Sequence, residues 1–313
     1  MVPPATFESY YGRPVIKHPT WKAQDIASYL FLGGTAGASS ALAAAATLTG
    51  RRQLAGAARI TAAAAVSGSL YALVHDLGKP SRFLNMLRVF KPTSPMSVGS
   101  WLLAGYGPLA GAAAASAVTG LAPAVGDAAG AGAGLLGPAV ATYTAALIAD
   151  TAIPVWHETR RELPFVFASS SACTAGGAGL LLGPHEEAGP ARRLATAGAV
   201  GDLIAMRAMH LRLGRDAAEP LRTGKAGRLL RVAAALTAGG AGLAQTWGRR
   251  SRWGAAISGS TLMAGSLCSR FGLFYAGLTA ADDPRYTIGP QRARLEQRRA
   301  DADGYDPDPN DHP

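Results

Sequence analysis

Charged and titratable side chains inside long apolar runs are the residues of this chain whose types favour chemistry. A charge at the centre of a membrane-spanning helix costs about 2.5 to 3.5 kcal/mol on insertion scales, so its presence indicates a role. The residues concerned are His75, Asp76, Asp150, Asp202, Arg207 and Arg270. Asp202 falls near the middle of its run, and the others fall in the half nearest to one side. We therefore expect a polar cluster displaced toward one membrane face.

Tyr143 and Asp150 lie seven residues apart in one apolar run. Seven residues are about two helical turns, so the two side chains share one helix face about 10 Å apart. A phenol and a carboxylate on one stripe can hydrogen-bond the carbonyl of a quinone and relay its proton. The alternative is that Tyr143 fills the core and that Asp150 caps the helix or pairs with an arginine.

Arg270 and Asp202 need partners from other helices. Arg270 is embedded in an aromatic, apolar stretch that continues with Phe271. We expect Arg270 to pair with Asp150 or Asp202, either as a structural ion pair or as part of a quinone site. Asp202 has no near partner on its own helix, because Arg207 lies about 140° around it. It therefore meets a partner from another helix or stays protonated.

Eight apolar runs are long enough to place these side chains inside a lipid bilayer. The 313 residues are 49% hydrophobic and only 16% charged, with 39 glycines, whereas soluble domains carry about 25% charged residues. A span needs about 20 mostly apolar residues. The predicted spans cover residues 25–49, 60–77, 97–122, 133–155, 164–183, 194–213, 229–247 and 253–280. The predicted fold class is all-α, a polytopic membrane protein of about eight transmembrane helices packed as helical bundles.

The segments outside the spans divide the chain into three parts and indicate its orientation. Residues 1–24 form a polar N-terminal segment, residues 25–281 the transmembrane domain, and residues 282–313 a polar tail whose Pro/Asp-rich end is expected to be disordered. Lys and Arg are more frequent on the side of the termini, which predicts cytoplasmic termini in the plasma membrane. The net charge of +10 follows this topology, so we expect no nucleic-acid partner.

The loop after the second span is amphipathic. Between Pro80 and Pro92, apolar side chains such as Leu84 and Leu87 recur at helical spacing, which predicts a helix over residues 79–92 that lies in the membrane interface. Its cations are Lys79, Arg82, Arg88 and Lys91. The loop is either an anchor for lipid headgroups or a docking surface for a soluble subunit.

The ligand sets of common metal cofactors are not present in the sequence. Its only cysteines, Cys173 and Cys268, are too few for a four-thiolate iron–sulfur site. No two histidines fall at matched depth inside spans, as a bis-histidine haem requires. We expect no metal site, no haem and no catalytic centre within this chain.

Four segments, taken in order, span nearly the whole chain. They are YYGRPVIKHPTWKAQDIASYLFLGGTAGASS from Tyr10, DLGKPSRFLNMLRVFKPTSPMSVGSW from Asp76, YTAALIADTAIPVWHETRRELP from Tyr143 and SRFGLFYAGLTAADDPRYTIGPQRARLEQR from Ser269. Together they resemble the NrfD/PsrC family of polysulfide-reductase-type membrane subunits, in its actinobacterial branch. The resemblance implies an eight- or nine-helix fold without a cofactor of its own. It also implies a four-cluster iron–sulfur partner, usually with a molybdopterin catalytic subunit, and menaquinone or another quinone bound near the iron–sulfur partner.

The predicted function is therefore that of a membrane anchor subunit that exchanges electrons with quinone. Quinone would bind against Tyr143, His75 and Asp76. A polar core would carry its protons, formed by Asp150, Asp202 and Arg270. Two alternatives remain open, a structural anchor without quinone chemistry and a transporter, although no inverted repeat of the kind found in transporters is visible.

Overall fold

The computed structural model describes residues 16–288, 292 and 295, and every regular element within them is helical. The eight long helices are α1 (Ala23–Leu48), α2 (Arg52–Asp76), α4 (Pro95–Thr119), α5 (Pro123–Ala149), α7 (Leu163–Leu182), α8 (Gly189–Ala217), α10 (Gly224–Gln245) and α11 (Arg252–Asp282). The short helices are α3 (Arg82–Met86), α6 (Pro154–Glu158) and α9 (Glu219–Arg222), and a 3₁₀ turn covers Trp247–Arg249. The Pro/Asp-rich end that was predicted to be disordered lies outside the described residues.

Each predicted span coincides with one long helix, and the all-α polytopic membrane fold is confirmed. Five of the long helices, α1, α2, α4, α5 and α7, are long and apolar enough to cross a membrane. Polar and charged side chains interrupt α8, α10 and α11, among them Asp202 and Arg270. Burial between helices is the arrangement in which such side chains are tolerated in a membrane protein.

Consecutive long helices run in opposite directions, so their ends form two faces of the bundle. The N-side face is the one at which α1 begins. There, the backbone N–H of Lys22 donates to Asp76 Oδ1 at the end of α2, over 3.0 Å. The opposite face, called the distal face below, holds a contact in which the Leu54 N–H donates to Glu187 Oε2 over 2.8 Å.

Two helices, α2 and α5, begin at least two turns earlier than the sequence predicts, because charged residues belong to them. α2 begins at Arg52 rather than at residue 60, and α5 begins at Pro123 rather than at residue 133. The added turns carry Arg59 and Asp127, whose Nη2 and Oδ1 atoms lie 2.7 Å apart. This ion pair lies toward the distal face, so titratable groups within the helices are not confined to the N-side half.

Glycine allows α1 and α5 to approach each other closely. A Cβ atom at Gly37 would collide with the backbone oxygen of Gly137, and one at Gly137 would collide with that of Gly37. Small residues permit such backbone contact between membrane helices. Helix α1 also packs against α2, α7 and α11. It therefore borders polar side chains from both halves of the chain.

A stack of aromatic rings closes the N-side face. Trp156 of α6 donates from Nε1 to the carbonyl oxygen of Leu273 over 2.9 Å. Its ring lies 6.0 Å from that of Trp21 and 5.5 Å from that of Phe274, between ring centroids. Gly277 leaves the space that the indole fills. The N-terminal segment, α6 and α11 are thereby joined.

The basic loop contains a shorter helix than predicted. Only α3, five residues long, is helical within residues 79–92. Residues 89–91 are not helical, because Ser97 binds them: its hydroxyl donates to the Val89 carbonyl oxygen over 3.1 Å and accepts from the Lys91 N–H over 2.9 Å. The apolar side chains of Leu84, Val89 and Phe90 remain exposed.

Candidate functional site

The N-side ends of α1 and α2 hold a polar contact that reaches the surface. His75 Nδ1 lies 2.8 Å from Asp25 Oδ2, and the histidine side chain is 51% exposed while the carboxylate is 15% exposed. Asp76, next to His75, accepts the Lys22 N–H. Both predicted site residues of α2 therefore bind the beginning of α1.

A pair of tyrosines lies one helical turn deeper in the bundle. The hydroxyl groups of Tyr29 and Tyr143 hydrogen-bond each other. Tyr29 is fully buried, and the hydroxyl of Ser69 donates to its carbonyl oxygen over 3.1 Å. Tyr29 follows Asp25 by four residues, so both lie on one face of α1, one turn apart. The order from the surface inward is therefore His75, Asp25, Tyr29 and Tyr143.

Asp150 does not join this line of polar groups. It is the residue that ends α5, with φ −84° and ψ 47°, and its side chain is exposed. The helical stripe predicted for Tyr143 and Asp150 therefore stops one residue short of the carboxylate. Within the part of the chain that the structure describes, Asp150 makes no side-chain hydrogen bond or ion pair.

Arg270 is buried in the second polar region of the bundle. It is 1% exposed. Its Nη2 donates to the Phe167 carbonyl oxygen over 3.0 Å and to Ser171 Oγ over 3.2 Å. Its guanidinium carbon lies 3.6 Å from the centroid of the Phe167 ring, a cation–π arrangement. Gly34 of α1 faces the same atoms, so α1, which carries Tyr29, borders both polar regions.

Asp202 and Arg270 interact electrostatically without a close ion pair. Asp202 is 4% exposed, and its Oδ1 has no hydrogen-bond partner in the described residues. The two charges act on each other, but no nitrogen–oxygen contact within 4.0 Å joins them. Arg270 Nε and Nη1 are also without partners in the described residues. The expected pairing with Asp202 is therefore present only at longer range.

The family model described as polysulphide reductase, NrfD, matches residues 20–184, more than half of the chain. The chain belongs to the NrfD family. NrfD proteins are membrane subunits of polysulfide reductase-type complexes, which are quinone-reactive, and they anchor iron–sulfur and molybdopterin subunits in general. A search of curated proteins returned no match.

The NrfD match contains the whole of the first polar region and only part of the second. Asp25, Tyr29, His75 and Tyr143 fall within residues 20–184, whereas Asp202 and Arg270 follow them. The family match therefore gives no support for a role of Asp202 or Arg270, and their role is argued from the structure of this chain.

A cavity of about 470 Å³ opens beside Asp202, between α8, α9, α10 and α11. Three arginines and a histidine line it together with apolar side chains. The lining residues are Asp202, Leu203, Met206, Arg207, His210, Leu221, Arg222, Gly227, Leu230, Arg231, Ala233, Ala234 and Ser269. Ser269 is 2% exposed, and its hydroxyl has no partner in the described residues. The inner wall of the cavity thus carries two buried polar groups with free hydrogen-bonding capacity.

Three residues of these regions were not predicted from the sequence: Asp25, Tyr29 and Phe167. Asp25 is the first residue of the predicted span 25–49. The spacing of Asp25 and Tyr29, one helical turn, was the signal that could have found them. Phe167 had no such signal, because its contact with Arg270 joins residues 103 positions apart in sequence.

Proposed function

We propose that this chain is the quinone-reactive membrane subunit of an iron–sulfur and molybdopterin oxidoreductase complex. Electrons pass between a cluster of the iron–sulfur partner and a quinone, with menaquinone the expected type. The chain supplies no redox centre of its own. Its residues bind the quinone, exclude water and move the protons that accompany the electrons.

The observation that carries this proposal is the line from His75 through Asp25 to the paired phenols of Tyr29 and Tyr143. Two hydroxyls that bond each other use one proton and leave the second free. That second proton is a hydrogen-bond donor suited to a quinone carbonyl oxygen. His75 is exposed on the N-side face, and an imidazole has ring nitrogens that can donate and accept a proton.

Asp202 and Arg270 form the second part of the proposed proton path. Their unpaired polar atoms lie deep in the bundle, where unpartnered groups are costly. A proton held by Asp202 would satisfy its free oxygen. Asp76 positions α1, and Asp150 remains a predicted contributor at the mouth of the site.

The basic loop is the proposed docking surface for the iron–sulfur partner. Its cations are all exposed: Lys79, Arg82, Arg88 and Lys91. Exposed apolar side chains, Leu84 among them, lie between these cations, and apolar contacts rimmed by charges are typical of protein interfaces. The loop lies on the N-side face, beside His75. We further propose that this face is cytoplasmic and that the bilayer is the plasma membrane.

The partner assignment is tested by isolating the complex. The tagged full-length chain is extracted from its native membranes in mild detergent, and we expect an iron–sulfur protein with four clusters to co-purify, detected by mass spectrometry and electron paramagnetic resonance. Changing the four loop cations to Gln should abolish the association. The matched control changes four arginines of the distal face to Gln: Arg51, Arg52, Arg193 and Arg250. An isolated chain without such a partner contradicts the proposal.

The quinone assignment is tested in the intact complex by menaquinol-linked electron transfer. Tyr143→Phe and His75→Gln should each lower the rate about a hundredfold, the scale of a lost proton-transfer group. Tyr106→Phe is the matched control, because this buried phenol bonds Ser40 over 2.8 Å and lies outside the proposed line. Wild-type rates in Tyr143→Phe and His75→Gln complexes would instead favour a structural anchor without quinone chemistry.

A further inference from the structure

The arginines of the cavity beside Asp202 are not used by the proposed electron and proton path. Arg207 and Arg231 line the cavity from α8 and α10, and both side chains are exposed. Neither makes a side-chain hydrogen bond or an ion pair within the described part of the chain. Arg222 makes one contact, from Nη2 to the His210 carbonyl oxygen over 3.4 Å. The mouth of the cavity is thus cationic.

The two unpaired arginines lie at matched depth below the N-side face. Helix α8 is interrupted at Gly214, whose φ of 73° is left-handed and favours glycine. Arg207 precedes Gly214 by seven residues, and Arg231 follows the beginning of α10 by seven residues. Seven residues correspond to about 10 Å of helix. Long arginine side chains at this depth extend toward the membrane surface.

Deeper in the cavity the lining is mostly apolar. Leu203 and Ala234 lie on the α8 and α10 segments that continue inward from the arginines, and Met206 and Leu230 line the cavity at the level of the arginines. The only carboxylate of the lining is Asp202, which is buried at the inner end and interacts with Arg270. A molecule that enters the cavity would therefore contact the arginines at the mouth first and the apolar side chains next.

We infer that this cavity binds an anionic phospholipid. The phosphodiester lies between Arg207, Arg222 and Arg231, and an acyl chain lies along the apolar lining toward Asp202. Basic pockets between membrane helices take anionic headgroups for this reason, and the attraction is worth about a factor of five for each arginine. A bound lipid also neutralises exposed charges that the helices otherwise present to the bilayer.

Lipid binding is measured on the purified, delipidated full-length chain by native mass spectrometry. Dioleoylphosphatidylglycerol should bind more tightly than dioleoylphosphatidylcholine. The double variant Arg207→Gln/Arg231→Gln should lose roughly 30-fold in affinity for the anionic lipid. Arg52→Gln/Arg193→Gln removes two exposed arginines of the distal face and should retain the wild-type affinity. Equal binding of the two lipids, or an equal loss in both double variants, overturns the inference.

Two competition measurements identify the source of the anion and the kind of guest. Millimolar inorganic phosphate should not displace the lipid, because phosphate lacks the acyl chain; displacement would show a free-anion site instead. Menaquinone should not displace it either, and displacement would assign the cavity to quinone. Ala234→Trp keeps the three arginines and fills the apolar lining, so we expect about tenfold weaker lipid binding. Unchanged lipid binding by a folded Ala234→Trp chain would overturn the inference that an acyl chain occupies the apolar lining.

Discussion

The two polar regions that flank α1 use their hydrogen-bonding groups differently. In the first half of the chain, Tyr29 and Tyr143 bond each other and His75 contacts Asp25. In the second half, Asp202 has an oxygen without a partner and Arg270 has two unpartnered nitrogens, within the described residues. A cavity of about 470 Å³ adjoins the second group.

A buried polar residue is therefore not by itself a binding site. Groups that hydrogen-bond each other hold helices in place. They can bind a further molecule only through a proton that their mutual hydrogen bond does not use. Groups without partners carry a desolvation cost of about 1 to 3 kcal/mol each. A guest, a water molecule or a proton removes that cost. The second region is therefore where an added molecule should stabilise the protein most.

The largest expected effect is on stability in the second region. Arg270→Ala should lower the free energy of unfolding by about 3 to 5 kcal/mol, because it leaves a cavity against Phe167 and removes the positive charge that offsets the buried Asp202 carboxylate at longer range. Thermal unfolding in detergent measures the change. Arg193→Ala, at an exposed position, is the control and should be near neutral. Equal stability of the two variants would show that Arg270 does not contribute to the stability of the fold.

The next largest effect is expected from helix packing, where adding a methyl group should destabilise the protein at one glycine and stabilise it at another. Gly37→Ala drives a methyl group into the Gly137 backbone and should cost about 1 to 3 kcal/mol. Gly239→Ala in α10 meets no atom within 4 Å and should gain up to about 1 kcal/mol, since alanine loses less backbone entropy in a helix. Thermal unfolding of both variants tests the contrast. A loss of the same size at both positions would contradict it.

The tyrosine pair should show coupling that the cavity serine lacks. In a double-mutant cycle, Tyr29→Phe and Tyr143→Phe should have an interaction energy of about 1 kcal/mol, the net value of one hydrogen bond. Ser269→Ala should not destabilise the chain, because the Ser269 hydroxyl has no partner in the described residues. Strict additivity of the tyrosine variants would show that their contact carries no energy.

The smallest effect is expected at the surface contact of the first region. His75→Gln and Asp25→Asn should each cost less than about 1 kcal/mol, because His75 is half-exposed and exposed ion pairs contribute little. Added salt should reduce even this difference, since it screens exposed charges. Unfolding temperatures at low and high salt check both statements. A large, salt-independent loss would mean that the pair is part of the buried core.

The sequence predicted the helices well and the contacts between them less well. Apolar runs located every long helix because a membrane span requires one. The same criterion shortened α2 and α5, whose charged turns are stabilised by the Arg59–Asp127 pair. That pair joins two helices and leaves no local signal. For the same reason, His75 and Tyr143 were recognised by residue type, while their partners on α1 were not.

Asp150 shows a different limit of the sequence pattern, because its spacing from Tyr143 predicted a shared helix face and the helix ends before it. Seven residues place two side chains on one stripe only while the helix continues. Helix α5 ends at Ala149, so the carboxylate turns away to the surface. Its assignment to the quinone site stays a prediction.

The aromatic stack gives the protein an optical probe of its own N-side face. Trp21 and Trp156 are two of the five tryptophans of the chain, and their rings lie 6.0 Å apart. Tryptophan emission depends on its surroundings, and these indoles join three segments at the surface where a partner is proposed to dock. Assembly should therefore be visible as a change in intrinsic fluorescence, without any attached label.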